Sequence, residues 1–165
     1  MADPARYTAP MTDLHGTDTV EARDTQALTQ GAARLLRHMG FAVLSEFNLG
    51  NGRRADLAGV DRSGLVAIVE VKSSVADFRA DAKWPEYLDY CDCFYFAVSE
   101  RFPHQLFNDE TCLPERTGVI VADQFGGAII RECATVAMNG SRRKSQLLRF
   151  ARKAADRLYL SELPD

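Results

Sequence analysis

The stretch Leu65-Val66-Ala67-Ile68-Val69-Glu70-Val71-Lys72 begins with seven residues, 65–71, that are apolar except for one carboxylate. A run this short, rich in β-branched residues and bounded by turn-forming residues, predicts a strand that is covered on both faces. An ionised Glu70 in such a strand costs on the order of several kcal/mol unless a cation or strong donors meet it. Lys72 lies two residues further on, so it projects from the same face of the strand as Glu70.

A second carboxylate, Asp56, lies fourteen positions before Glu70 in another strand-like run, residues 53–60. The segment 61–65 between the two runs suits a three-residue hairpin loop, a type I turn followed by Gly64 in the left-handed region. Counting along the resulting ladder sets Asp56 directly opposite Glu70, with Cβ atoms roughly 4.5–5.5 Å apart. Carboxylates this close repel each other unless a cation lies between them. A four-residue loop would instead place the two side chains on opposite faces.

These residues suit metal-dependent hydrolysis of a phosphodiester. Asp56 and Glu70, with the backbone carbonyl of Val71 and water, would give Mg²⁺ (or Mn²⁺) the oxygen ligands it prefers. The metal would polarise the scissile phosphate and lower the pKa of a bound water. Lys72 would orient that water or neutralise the developing charge. The alternative is a structural ion pair between Glu70 and Lys72, with Asp56 merely ending a strand.

The same residues resemble known nucleases. Asp56 and Glu70-Val71-Lys72, at a hairpin followed by a crossover helix, resemble the core motif of the PD-(D/E)xK nuclease superfamily, although Ala55 replaces its nominal Pro. From about residue 25 to the C-terminal helix, the chain more closely resembles the MmcB family of bacterial DNA-repair proteins. Four segments carry this likeness: Gly52-Arg53-Arg54-Ala55-Asp56, Val69-Glu70-Val71-Lys72-Ser73-Ser74, Asp77-Phe78-Arg79-Ala80-Asp81-Ala82-Lys83-Trp84 and Tyr87-Leu88-Asp89-Tyr90-Cys91-Asp92. The resemblance implies a nuclease-like protein of the DNA damage response.

The resemblance also implies a restriction-endonuclease-like α/β fold, and the order of elements agrees. We expect one domain over residues 19–165, a central mixed sheet flanked by helices with an α-β-β-β-α-β core, preceded by a mobile arm over residues 1–18. A helical crossover over residues 73–90, interrupted at Pro85, predicts parallel pairing of the next strand, residues 93–98. The other expected elements are a helix from a capping box at 18–21 to Met39, a strand over 41–47, a hairpin of 118–121 and 128–131, and an amphipathic helix over 142–160 with Leu147, Ala151, Ala154 and Leu158 facing inward.

Glu46 is a possible third acid of the site. A five-residue turn over 48–52 would oppose Phe47 to Arg53 and set Glu46 opposite Arg54, on the face of Asp56. The alternative is that Glu46 only balances the charge of Arg54.

The basic charge is concentrated near the C-terminus. Residues 142–157 carry seven basic side chains and one acidic, a charge of +6 in a chain whose net charge is −3, so the rest carries −9. A stripe of Arg142, Arg149, Lys153 and Arg157 at helical spacing would track a DNA backbone, and a solvated basic face is the alternative. Arg54 and Lys83 are further candidates for DNA contacts. Trp84 and Tyr87 would either stack on a base or pack against the sheet.

Composition places the chain among soluble globular proteins, with 46% hydrophobic and 26% charged residues. No apolar run approaches the length of a membrane span, so we expect a cytoplasmic protein without a membrane partner. The four cysteines lack zinc-site spacing, and phosphate-loop, dinucleotide-binding and serine-hydrolase motifs do not occur. Two functions stay open: a metal-dependent DNA endonuclease, or a non-catalytic DNA-binding or adaptor module that keeps the nuclease fold and recruits other repair proteins.

Overall fold

Six strands form one mixed sheet in the order β1-β2-β3-β4-β5-β6. The computed structural model describes residues 15–163. Pairing is antiparallel for β1–β2, β2–β3 and β5–β6, and parallel for β3–β4 and β4–β5. The strands are β1 (Ala42–Asn48), β2 (Arg54–Val60), β3 (Val66–Val71), β4 (Cys93–Val98), β5 (Thr117–Ala122) and β6 (Gly127–Arg131). This topology confirms the predicted mixed sheet and the α-β-β-β-α-β core, and it is consistent with a restriction-endonuclease-like fold.

Helices cover both faces of the sheet. The α-helices are α1 (His15–His38), α2 (Val75–Ala80) and α3 (Gly140–Glu162), and short 3₁₀ segments span Trp84–Tyr90, His104–Asn108 and Glu110–Cys112. α1 buries Leu28, Ala32 and Leu36 against one face. The 3₁₀ segment Trp84–Tyr90 and the first half of α3 pack on the other. Because β3 lies between these layers, all six of its residues are buried, as its apolar sequence predicts.

The C-terminal end of α1 is the predicted one, but its start is not. The N–H of Phe41 bonds the carbonyl of Leu36, and the N–H of Gly40 bonds that of Arg37, with Gly40 at a φ of +95°. This is a Schellman stop, which glycine permits at little cost. The predicted capping box at residues 18–21 is wrong, because α1 already begins at His15. Of the predicted mobile arm, residues 1–14 lie outside the described part of the chain.

The loop between β2 and β3 has the predicted geometry. The N–H of Asp61 bonds the carbonyl of Leu65 at 3.1 Å, and Gly64 has a φ of +84°. The Asp61 carboxylate accepts hydrogen bonds from the N–H groups of Ser63 and Leu65, which fixes the turn. The register that follows pairs Val60 with Val66 and Leu57 with Val69. Continued by one residue, this register sets Asp56 opposite Glu70.

The register between β1 and β2 differs from the prediction by two residues. Phe47 pairs with Ala55 instead of Arg53. The turn is tighter than expected, because Leu49 bonds the carbonyl of Arg53 and Gly52 adopts a φ of +81°. Glu46 therefore falls opposite Asp56 by count, at a kink where its own φ is +49°.

The predicted inward face of α3 is partly wrong. Leu147 and Ala154 are half-buried as expected, but Ala151 is exposed and Leu158 is 60% exposed. The buried residue is Gln146, and its neighbour Phe150 packs on Phe47 with ring centroids 5.8 Å apart. Among the described residues, no helix combines the length and the apolar character needed to cross a membrane.

Candidate active site

The candidate site lies where β2 parts from β3. Their ladder ends at the pair Leu57–Val69, whereas β2 stays paired with β1 as far as Arg54. In this register the N–H of Val71 would face Ala55, but it donates instead to the carboxylate of Asp56, at 2.7 Å. A side chain thus replaces the next backbone partner at the end of the ladder. The split brings the Asp56 carboxylate to the backbone of the residue that follows Glu70.

Burial is the largest influence on the pKa of both carboxyl groups. Glu70 is 7% exposed, and burial, followed by the charge of Asp56, raises its pKa to about 8, because the attraction of Lys72 is too weak to offset them. Burial also raises the pKa of Asp56, against the opposing effects of the Val71 N–H and of Lys72. Both shifts have the sign expected for two acids that share one low-dielectric site.

Lys72 is the cation of this site, and it is only 4% exposed. Its Nζ lies 2.6 Å from Oδ2 of Asp81 and 3.6 Å from Oε1 of Glu70. Burial works against its charge, but the hydrogen bond to Asp81 and the charge of Glu70 together hold the pKa of Lys72 above its usual value. Asp81 in turn has a lowered pKa, because the bonds from Lys72 and from the N–H of Lys83 outweigh its burial. The site is therefore a network of three acids and one lysine.

Asp81 is the residue that the sequence reasoning missed. It caps the C-terminal end of α2, nine positions after Lys72, where no strand or helix periodicity relates the two residues. The only signal for Asp81 in the sequence would have been an interruption of the crossover helix. α2 stops at Ala80, and the backbone then turns Asp81 back towards the strand end.

One atom of the site lacks a partner. Oε2 of Glu70 is buried and accepts no hydrogen bond from the described residues. An unsatisfied buried carboxylate oxygen is costly, and a hard divalent cation is a ligand that would relieve that cost. Within residues 15–163, no cluster of three or more His, Cys, Asp or Glu side chains is placed to hold a metal. A metal here would therefore rest on two carboxylates, a backbone carbonyl and water, which is an all-oxygen set of the kind Mg²⁺ accepts.

A cleft of about 790 Å³ opens beside Asp56, between α1 and the β1–β2 hairpin. Glu46 and Arg54 both line it, and they form an ion pair at 3.5 Å. The predicted third acid is thus in the same cleft as Asp56, but its partner is the arginine. Both side chains are more than 60% exposed, so this ion pair contributes little to stability.

The predicted DNA-binding residues are spread over the cleft, α3 and the crossover. Arg54 and Arg157 line the cleft with Asp56, and Arg157 also donates to the carbonyl of Ser45. Arg149 and Lys153 flank a second hollow at the end of β1. Arg142 pairs with Asp89 at 3.7 Å and stacks on Tyr90 at 4.9 Å, and Lys83 is exposed at the start of the 3₁₀ segment Trp84–Tyr90.

Trp84 and Tyr87 pack against the sheet, so the alternative that they stack on a base is wrong. Trp84 and Tyr87 are both buried, and Trp84 lies 5.5 Å from Phe94 and 5.0 Å from Phe96 between ring centroids. The hydroxyl of Tyr87 donates to the carbonyl of Arg54 at 3.3 Å. These side chains hold the crossover against the strand that carries Asp56.

Comparison with known proteins gives a family and one structural neighbour. The model of the MmcB-like DNA repair protein family matches residues 13–165. A solved structure of a protein of unknown function from Silicibacter pomeroyi is 39% identical, with a TM-score of 0.74. The likeness covers 82% of this chain and 88% of that one. No curated protein matches the chain significantly.

Proposed function

Because the chain belongs to the MmcB-like DNA repair protein family, we propose that it is a metal-dependent nuclease that hydrolyses DNA phosphodiester bonds. The observation that carries this proposal is the buried, unpartnered Oε2 of Glu70 beside the carboxylate of Asp56. Two neighbouring acids whose pKa values are both raised by burial are costly as scaffold and useful as metal ligands. The arrangement supports membership of the PD-(D/E)xK superfamily.

Asp56, Glu70 and the carbonyl of Val71 would hold the ion. The Val71 N–H points to the β2 side, where it meets Asp56, and in an extended strand the carbonyl of a residue points the same way as its N–H. A bound Mg²⁺ or Mn²⁺ would supply charge for the scissile phosphate and acidify a water.

Lys72 acts without touching the metal. Its ammonium lies on the Glu70 side of the site and would orient the attacking water or stabilise the charge that develops on the phosphate. Asp81 fixes that ammonium with a 2.6 Å hydrogen bond and so positions it before substrate binds. We therefore assign Asp81 a positioning role.

A specific observation favours a second candidate function, a non-catalytic DNA-binding or adaptor module. Lys72 is already hydrogen-bonded to Asp81 and close to Glu70, and a Glu70 with a pKa of about 8 is largely neutral at pH 7. The site is thus compatible with a stable scaffold that needs no metal. In that case the protein would serve the DNA damage response by binding DNA or recruiting other repair proteins.

A cleavage assay separates the two functions. Purified protein is incubated with end-labelled single-stranded, duplex and branched DNA in Mg²⁺, in Mn²⁺ and in EDTA. The nuclease proposal expects cleavage of at least one DNA in metal, loss of cleavage in EDTA and in the Glu70→Gln variant, and unchanged cleavage in the matched Glu115→Gln variant, whose side chain is exposed. Binding of DNA with no metal-dependent cleavage of any of them would favour the adaptor.

A further inference from the structure

The cleft beside Asp56 has its own charge pattern. Three arginines from three different elements converge on it: Arg37 from the last turn of α1, Arg54 from β2 and Arg157 from α3. Its acids are Asp56 and Glu46. Glu46 is already engaged by Arg54, in an exposed ion pair that an incoming phosphate can replace. The cleft therefore presents more cationic than anionic groups next to the proposed catalytic acid.

Arg157 is held in place before any ligand arrives. Its guanidinium donates to both the carbonyl and the hydroxyl oxygen of Ser45 on β1. This ties the far half of α3 to the cleft, although the same half exposes its apolar residues to solvent. A guanidinium fixed in this way loses little further freedom on binding a phosphate, and its remaining N–H groups can donate to the phosphate oxygens.

The wall formed by α1 carries no acidic side chain among the described residues. The α1 residues that line the cleft before Arg37 are all neutral: Ala22, Thr25, Gln26, Thr29, Gln30 and Ala33. A cleft of about 790 Å³ is in the range that takes a small-molecule-sized group. One or two nucleotide units of a single strand have that size, and a duplex is far larger.

We propose that this cleft is the path of a single DNA strand, whose phosphates contact Arg37 and Arg157 as the strand reaches Asp56. The proposal rests on the proposed nuclease function and adds a substrate class to it: single-stranded DNA, or an unpaired strand next to a junction. None of the described residues that line the cleft is aromatic, so we expect these residues to contact the DNA backbone rather than to stack on bases. We expect binding with little sequence preference.

The test measures binding without cleavage. Fluorescence anisotropy in EDTA compares a labelled single strand with a blunt duplex of the same sequence, over a range of salt concentrations. The proposal expects the single strand to bind more tightly. Arg37→Gln should reduce the salt slope by about 0.7, so the loss of affinity relative to the wild type should be roughly fivefold larger at 0.1 M than at 1 M salt. Arg37→Lys, which keeps the charge, should keep most of the slope.

Arg34→Gln is the matched control. Arg34 lies on the same helix but donates to the carbonyl of Phe125, at the turn between β5 and β6. Its removal costs the same charge and should leave the slope for single strands unchanged. Equal losses in the Arg34 and Arg37 variants, or tighter binding of the duplex, would overturn the cleft proposal. If the protein cleaves DNA but Arg37→Gln does not change binding, only the cleft proposal is refuted. If the protein binds single strands through Arg37 but never cleaves them, only the proposed nuclease function is refuted.

Discussion

Lys72 donates a 2.6 Å hydrogen bond to Asp81, although the first residue follows β3 and the second follows α2. Both side chains are largely buried, so the bond ties the crossover to the end of the central strand. The bond gives the crossover a role in the site that the motif Glu70-Val71-Lys72 alone does not reveal.

Replacing Asp81 by Asn should therefore destabilise the protein. The change leaves a buried ammonium whose remaining partner, Glu70, is 3.6 Å away. We expect the free energy of unfolding, measured by urea denaturation, to fall by up to about 3–5 kcal/mol. The control Asp24→Asn, at an exposed position of α1, should change it by less than about 0.5 kcal/mol. Equal stability of the two variants would mean that Asp81 does not hold the lysine.

The stability of the metal-free protein should depend on pH through Glu70. Its pKa is raised from 4.5 to about 8 on folding, so the folded state keeps a proton that the unfolded chain releases. This contribution is fully present below pH 4.5 and is lost as the pH rises through about 8, at up to about 1.4 kcal/mol per pH unit.

Unfolding free energies of the wild type and of Glu70→Gln, both in EDTA, measure that loss. The amide cannot ionise, so the variant should gain on the wild type between pH 5 and pH 8 and match or exceed its stability at the upper end. A difference that does not vary with pH over this interval would contradict the raised pKa. A large loss of stability in Glu70→Gln at pH 5 would instead indicate that the shape of the Glu70 side chain, rather than its charge, determines its effect on stability.

Arg143 and Arg149 should separate stability from DNA binding on α3. Arg143 donates to both carboxylate oxygens of Asp92, which is buried and also accepts the N–H groups of Val66 and Met138. Arg143→Gln should lower the unfolding free energy by about 3–5 kcal/mol, because it leaves the buried charge of Asp92 without its cationic partner. Arg149 is exposed beside the end of β1.

Arg149→Gln should leave stability within about 0.5 kcal/mol of the wild type and lower the salt slope of duplex binding by up to about 0.9. Denaturation curves and anisotropy titrations of both variants give the two quantities. An unchanged salt slope in Arg149→Gln would indicate that this part of α3 is a solvated basic face that does not contact DNA.

The part of the fold around Glu70 was predictable because residues close together in the sequence determine it. A buried strand follows from the apolar run over residues 65–71, and the register of the β2–β3 hairpin follows from a loop in which Gly64 takes a positive φ. The register of β1 could not be derived in the same way. Two glycines, Gly50 and Gly52, allow turns of different lengths, and only the tighter one forms.

The inward face of α3 failed for a related reason. Hydrophobic periodicity selected Leu158, but the helix is held to the rest of the fold by polar bonds, from Arg143 to Asp92 and from Arg157 to Ser45, and Leu158 stays exposed. Contacts between residues far apart in sequence decide such placements. The partnership of Lys72 with Asp81 and the cleft between α1 and the β1–β2 hairpin belong to the same class, since both need the assembled fold.

Direct calorimetric titration with Mg²⁺ tests the central claim, that two carboxylates of this site bind a metal and the lysine does not. The wild type at pH 7.5 should bind one ion and release a proton, because binding requires the ionised form of a Glu70 whose pKa is about 8. Lys72→Met, although destabilised through the loss of the Asp81 bond, should still bind the ion. Glu70→Gln should show no binding at the same concentrations. Absence of binding to the wild type, or equal binding by Glu70→Gln, would contradict the account and leave these residues as scaffold.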